Sequence, residues 1–146
     1  MLTDVWMDSF WKVLNVKQNT LKEYKRLYRK NIQPLIGSED LDEVTPVLLQ
    51  SNLLKLSPQI ARHSLMLIKS IYREANLYKV SDTNPTIGLR TPPIRFEPKK
   101  FLTWAEINEL DWGKYNNQVR FVALHGLRWS EAVVLTQDDI HDGYVW

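Results

Sequence analysis

The chain has no cysteine, so disulfides and thiolate metal sites are excluded, and its three histidines are scattered in a way that disfavours a zinc centre. No apolar run approaches the roughly 18 residues that a membrane helix requires. The opening Met1-Leu2-Thr3-Asp4 carries an acid and lacks the basic start of a secretory signal. Internal repeats and low-complexity tracts are absent as well. A reducing, cytoplasmic setting is compatible with these absences, and no cofactor, metal or membrane partner is expected. What is present suits a soluble protein: 146 residues, 44% apolar, with six Trp and six Tyr to build a core and 25% charged residues. That length holds one ordinary domain, or two small ones with a linker.

The net charge of +2 hides a division along the chain. Residues 1–100 hold 16 Lys/Arg against 10 Asp/Glu, whereas residues 101–146 hold 3 against 7. Lys12, Lys17, Lys22, Lys25, Arg26, Arg29 and Lys30 fall in one 19-residue stretch whose single acid is Glu23. Such a run reads either as a solvated helix face or as a surface for a polyanion. Four of the seven prolines, Pro85, Pro92, Pro93 and Pro98, cluster with Gly88, and they predict a semi-rigid extended linker over 81–100. Arg90, Arg95, Lys99 and Lys100 make that linker basic.

Before the linker, over 1–80, the periodicity is helical. Val5, Trp6, Phe10, Trp11, Val13 and Leu14 trace the apolar face of a first helix ending near Asn15. Leu21, Tyr24, Leu27, Tyr28 and Ile32 trace a second, with Asn19 and Thr20 as candidate caps and Gln33-Pro34-Leu35-Ile36-Gly37 as the closing turn. Thr45-Pro46 and Ser57-Pro58 each set a capping hydroxyl before a proline, predicting helices over 46–55 and 58–77. Ile60, Ser64, Leu67, Ile68, Ile71 and Ala75 form the expected inward stripe of the last one. The expected fold class is therefore mainly α, opening with a four-helix bundle.

Two of these helices carry basic faces away from their apolar stripes. On the second they comprise Lys22, Lys25, Arg26 and Arg29; on the fourth, Arg62, Lys69 and Arg73, with Gln59 and Met66 beside them. An α-helix fits the major groove, where Gln and Arg reach base edges and Lys and Arg hold phosphates. Ordinary solubilising charge remains the plainer reading of the same residues. His63 reads as a packing or phosphate-contacting residue rather than a metal ligand.

After the linker, Leu102-Thr103-Trp104-Ala105-Glu106-Ile107 is a helix start in which Thr103 caps, Glu106 completes the capping box and Leu102 staples to Ile107. A further helix is expected over about 115–125, with Gly126 as its stop. Gly126-Leu127-Arg128-Trp129-Ser130-Glu131 then places a guanidinium at the start of a helix running to Leu135, an arrangement suited to a phosphate. Glu131 reads equally as the group orienting that guanidinium and as a surface residue. Tyr144-Val145-Trp146 reads as the opening of a strand.

The run His125-Gly126-Leu127-Arg128, with Ser130-Glu131, Leu135 and Asp139-Ile140 after it and the capping-box helix before it, resembles the start of the catalytic domain of tyrosine recombinases, the phage integrases. The resemblance extends over nearly the whole chain: a helical domain, Asp82-Thr83-Asn84-Pro85 after its long helix, a linker, then the arginine helix. One departure is His125, where the family often has a small residue. The resemblance implies a four-helix SAM-like core-binding bundle over 1–80 and a truncated, α-rich start of a recombinase catalytic domain over 101–146. It further implies double-stranded DNA as partner, self-association of recombinase subunits on that DNA, and the cytoplasm of a bacterial host or phage-infected cell. Arg128 takes the position of the first catalytic arginine, whose role is to neutralise charge developing on the scissile phosphate. The family's nucleophilic tyrosine lies far downstream of that arginine, so none of the chain's tyrosines inherits the role and the chain is expected not to cut DNA alone. The DNA-contacting residues expected on these grounds are Lys17, Thr20, Lys22, Lys25, Arg26 and Arg29 on the second helix, Gln59, Arg62, His63, Lys69 and Arg73 on the fourth, and Arg95, Lys99 and Lys100 on the linker. The alternative is a non-catalytic helical protein-interaction or regulatory module, of the kind a prophage remnant supplies.

Overall fold

A computed structural model of the chain describes residues 1–95, 98, 100–141 and 144–145. The backbone divides into two units, Met1–Phe96 and Glu97–Trp146, each described by itself below.

The first unit is built on helices α1 (Thr3–Val13), α2 (Gln18–Leu27), α3 (Gln33–Ile36), α4 (Pro46–Leu53) and α5 (Pro58–Leu77). The 20-residue α5 is the element the others pack on, since α1, α2, α4 and the turn after α2 all contact it. Its buried side is Ala61, Ser64, Leu65, Leu67, Ile68, Ile71, Tyr72 and Ala75; of these, Leu67, Ile68, Ile71, Tyr72 and Ala75 meet Trp6, Met7 and Phe10 of α1 and Tyr28 and Ile32 in the main core, while Ala61 and Leu65 pack with Leu53 in a second cluster. Ile60, expected to face inward, is instead 37% exposed, because the buried stripe runs through Ala61 and Leu65 and leaves position 60 at its edge. Val5 and Val13 are likewise exposed, and Met7 takes the core place on α1 that the sequence reading gave to Val5.

The second helix does not close at Gln33. Pro34 has no N–H, so the carbonyl of Lys30 loses its usual α-helical donor. The chain answers by widening into a π-helical turn over Tyr28–Ile32, where the Gln33 N–H reaches back five residues to the Tyr28 carbonyl, and then continues as α3. The Asn31 amide donates to the Leu27 carbonyl at 3.3 Å across the same turn. Asp4 on α1 pins this turn from outside, accepting from the Tyr28 hydroxyl at 2.6 Å and the Gln33 amide at 3.1 Å. Gly37 follows, and it has to be glycine for reasons of space, since a Cβ there would stand 2.7 Å from the Gln33 carbonyl and 2.8 Å from an Asp4 carboxylate oxygen. The start of α4 follows its sequence signal, with the Thr45 hydroxyl accepting from the Leu48 N–H. At α5 proline suffices, as Ser57 makes no side-chain cap.

The proline-rich segment is tied down along much of its length. The Ser81 hydroxyl donates to Asp42, the Asn76 amide holds the carbonyls of Ser81 and Thr83, and Pro85 and Thr86 are buried. Gln50 clamps Arg90 from both sides of its side-chain amide, at 2.8 Å each, and Leu89 packs against the Leu53, Ala61 and Leu65 cluster. The stretch expected to be a linker from residue 81 is thus fastened to the helices as far as residue 90, because Ser81 and Thr83 bond to Asp42 and the Arg90 backbone bonds to Gln50.

The second unit holds α6 (Trp104–Glu109), α7 (Asn116–His125) and α8 (Trp129–Ala132), with short 3-10 turns at Gly113–Tyr115 and Gln137–Asp139. The two-residue strands β1 (Ile140–His141) and β2 (Tyr144–Val145) pair antiparallel, with Ile140 opposite Val145. The expected strand opening is therefore present at Tyr144; Trp146 lies outside the described residues. Thr103 caps α6 in a complete capping box with Glu106, and Gly126 ends α7 at φ 65°, a left-handed conformation that glycine adopts without strain. The helix after Arg128 is shorter than expected. It stops at Ala132 rather than Leu135, and Val133 and Val134 are 58% and 71% exposed, so nothing on that side rewards its continuation. Among the described residues of this unit none is buried.

Candidate nucleic-acid interface

The two basic helix faces meet. Between α2 with its π turn and α5 runs a cleft of about 710 Å³, walled by Arg26 and Lys30 on one side and by Arg62 and His63 on the other. Gln59 and Asn31 bring amides to it, Ile60 and Met66 bring apolar surface, and Ile94 reaches it from the extended segment. Glu23 is the acid among its lining residues. The outer side of α2 continues the positive surface through Lys22, Lys25 and Arg29, which with Arg26 and Lys30 line a shallow depression. On the other flank, Arg62, Met66 and Lys69 border a second groove whose far wall is Thr91, Pro92, Pro93 and Ile94. The curvature exists because α5 is fixed by its buried side while the π turn carries Lys30 and Asn31 around to it.

Some of these cations already have partners. Glu23 accepts from Arg26 at 3.0 and 2.7 Å, an exposed pair one helical turn apart. Lys25 lies over the Trp11 ring at 5.8 Å. Arg73 is engaged by its neighbour Glu74 at 2.8 Å and stands beyond the cleft.

The expected DNA-contacting residues thus divide. Arg26, Gln59, Arg62 and His63 share the central cleft; Lys22, Lys25, Arg29 and Lys69 flank it; Lys17 and Thr20 stand at the start of α2 outside it. Arg95 and Lys100 are exposed, and Lys99 lies outside the described residues. Lys30 and Asn31 were not among the expected contacts, although both line the cleft. The one local signal near them is Pro34, four residues after Lys30, which removes a helical donor without by itself fixing the wide turn.

In the second unit Arg128 precedes α8 with extended backbone and an exposed side chain. Glu131 holds it twice, accepting from the Arg128 backbone N–H at 2.8 Å and from its guanidinium at 2.9 Å. Those two bonds hold the Glu131 carboxyl below the usual glutamate range, the backbone N–H contributing most. Glu131 thus contacts the guanidinium in a largely exposed pair. The single turn of α8 offers a weaker dipole than a long helix, so any attraction for phosphate here rests chiefly on the arginine itself. Beside it, Trp129, Ala132 and Val133 with Phe121 form an exposed apolar groove.

Among the described residues no three His, Asp or Glu side chains gather in a way that holds a metal ion, and no helix is long and apolar enough to cross a membrane. No curated protein and no solved structure matches the chain. Residues 2–57, the segment from α1 through α4, match the family model described as phage integrase, N-terminal SAM-like domain, which supports the resemblance of the helical unit to phage integrases.

Proposed function

We propose that the first unit binds double-stranded DNA through the cleft between α2 and α5, as the core-binding module of a site-specific recombinase of the phage-integrase kind. The observation that carries this reading is the meeting of Arg26, Lys30 and Arg62 in one cleft, on a unit whose residues 2–57 match an integrase domain. Phosphates along a duplex are spaced regularly enough for such a row of cations to neutralise several at once, releasing counterions. Arg128, paired with Glu131, contacts a phosphate as the first arginine of a catalytic domain beginning near residue 101; the order of capping-box helix, glycine stop and arginine supports this.

The test is duplex binding followed by fluorescence anisotropy across ionic strength. Four phosphate contacts predict roughly a hundredfold loss of affinity between 50 and 200 mM salt. Joint replacement of Arg26, Lys30 and Arg62 by alanine should flatten that slope by about three contacts, while Arg73→Ala, beyond the cleft, should leave it nearly unchanged. Salt-independent binding would instead favour a protein-interaction module, the reading supported by the exposure of Trp129 and Met66 at 50% and 57%.

A further inference from the structure

Three large apolar side chains stand exposed inside the basic cleft between α2 and α5: Ile60 at 37%, Ile94 at 48% and Met66 at 57%. Phosphate binding does not call for them. A cleft that only neutralised a polyanion would be better served by polar residues at these places, since apolar surface left in water is unfavourable and gives nothing to a phosphate. Their placement is also specific. Met66 lies on α5 between Arg62 and Lys69, at spacings of four and three that put all three on one side of the helix, and Ile60 lies next to Gln59 in the first turn. The opposite side of the same helix is fixed in the core through Ala61, Ser64, Leu65 and Ile68, so this outward set is held rigidly.

A ligand for this surface must be strongly anionic and must offer small apolar groups at the same face. Duplex DNA meets both conditions in its major groove, where the 5-methyl of thymine is the apolar group on the base edges and where an α-helix fits. Gln59 adds a matching polar feature: it is exposed, its side-chain amide makes no hydrogen bond to the described residues, and such an amide suits adenine N6 and N7. We propose that Ile60 and Met66, with Ile94 beside them, receive thymine methyl groups in the major groove of the bound duplex, so that the cleft prefers A·T pairs bearing that methyl. The proposal rests on the DNA-binding reading above, and adds to it which chemical group on the bases is read.

The experiment compares an A·T-only duplex with the same duplex in which every thymine is replaced by uracil, using the full chain. Phosphate charge and base-pair hydrogen bonds are identical, and only the methyls differ. Burial of one methyl is worth about three- to fivefold in affinity, so two predict a preference of roughly tenfold for thymine, with equal salt slopes. The Ile60→Ala, Met66→Ala double variant should bind both duplexes equally. Met66→Gln, which keeps the unbranched shape at an exposed site, should remove at least half of the preference and serves if the double variant is poorly folded. Equal affinity for thymine and uracil, or a preference that survives both variants, overturns the proposal while leaving salt-dependent DNA binding intact. Absence of salt-dependent binding to either duplex overturns it together with the reading beneath it.

Discussion

At the scale of single residues, the pairing of Glu23 with Arg26 restrains the candidate interface. The pair is exposed, with side chains 75% and 64% accessible, so its own contribution to stability is small, about 1 kcal/mol or less. It does set a competition, because Arg26 must release a carboxylate to take a phosphate. Glu23→Gln should raise affinity for duplex DNA about two- to fivefold, read by anisotropy at low salt, and the gain should vanish in an Arg26→Ala background. A second residue-scale effect belongs to Tyr28 and Tyr72. Burial pushes both hydroxyls well above the ordinary tyrosine value, reinforced at Tyr28 by the hydrogen bond to Asp4 and at Tyr72 by the nearby charges of Asp42 and Asp40. A raised folded value means that the neutral form is favoured by folding. Their contribution is therefore complete below about pH 10 and is lost as pH climbs beyond it. Denaturant midpoints measured from pH 8 to 11.5 should fall steeply above 10, and Tyr28→Phe should be less stable at neutral pH but fall less on the alkaline side.

At the scale of elements, α6 depends on its first turn. Glu106 accepts from the Thr103 N–H at 2.6 Å and the Thr103 hydroxyl at 2.9 Å, which holds its carboxyl below the usual range. A lowered folded value makes the contribution present above the ordinary glutamate value and lost as pH falls through the depressed one. Helix α6 should fray in acid before α5 does, with faster amide exchange at Ile107 and Asn108, and Thr103→Ala should reproduce that fraying at neutral pH. Such a box is legible from sequence because it is local: four residues contain both partners. The same holds for Pro46 and Pro58 opening α4 and α5 and for Gly126 closing α7. The π turn was not legible. Pro34 announces a missing donor, but whether the chain stops there or widens is decided by Tyr28 and Ile32 seated in the core and by Asp4 from a distant helix. The candidate site divides in the same way. Arg26, Gln59, Arg62 and His63 could be read from charge at helical spacing, whereas Lys30 and Asn31 join them only through that turn. Ile60 was misplaced because a stripe one residue to its side, through Ala61, buries as well as its own.

At the scale of the whole molecule, the two units differ in how firmly they are held. All the buried residues among those described belong to the first unit, and the second closes its turns with capping bonds such as Thr136 to Asp139 rather than with a core. Amide exchange should separate them plainly. Protons on α5 at Leu67, Ile68 and Ile71 should exchange only on global unfolding, whereas those on α7 at Val122 and Leu124 should exchange at least a hundredfold faster at pH 7, measured by mass spectrometry. Equal protection would show that Val119, Val133 and their neighbours bury against a partner in solution.

The clamp of Gln50 on Arg90, with Leu89 over Leu65, also decides where the molecule comes apart under a protease. Cleavage requires a stretch of backbone to be freed into an extended strand, and the segment up to residue 90 is not free to comply. Digestion should therefore trim back from the second unit and stall beyond Arg90, leaving a resistant body that retains the proline-rich segment. A fragment cut at residue 80 would open the Leu53, Ala61 and Leu65 cluster to water and strip Ile94 from the cleft, so the boundary chosen for any dissection alters the surface under study.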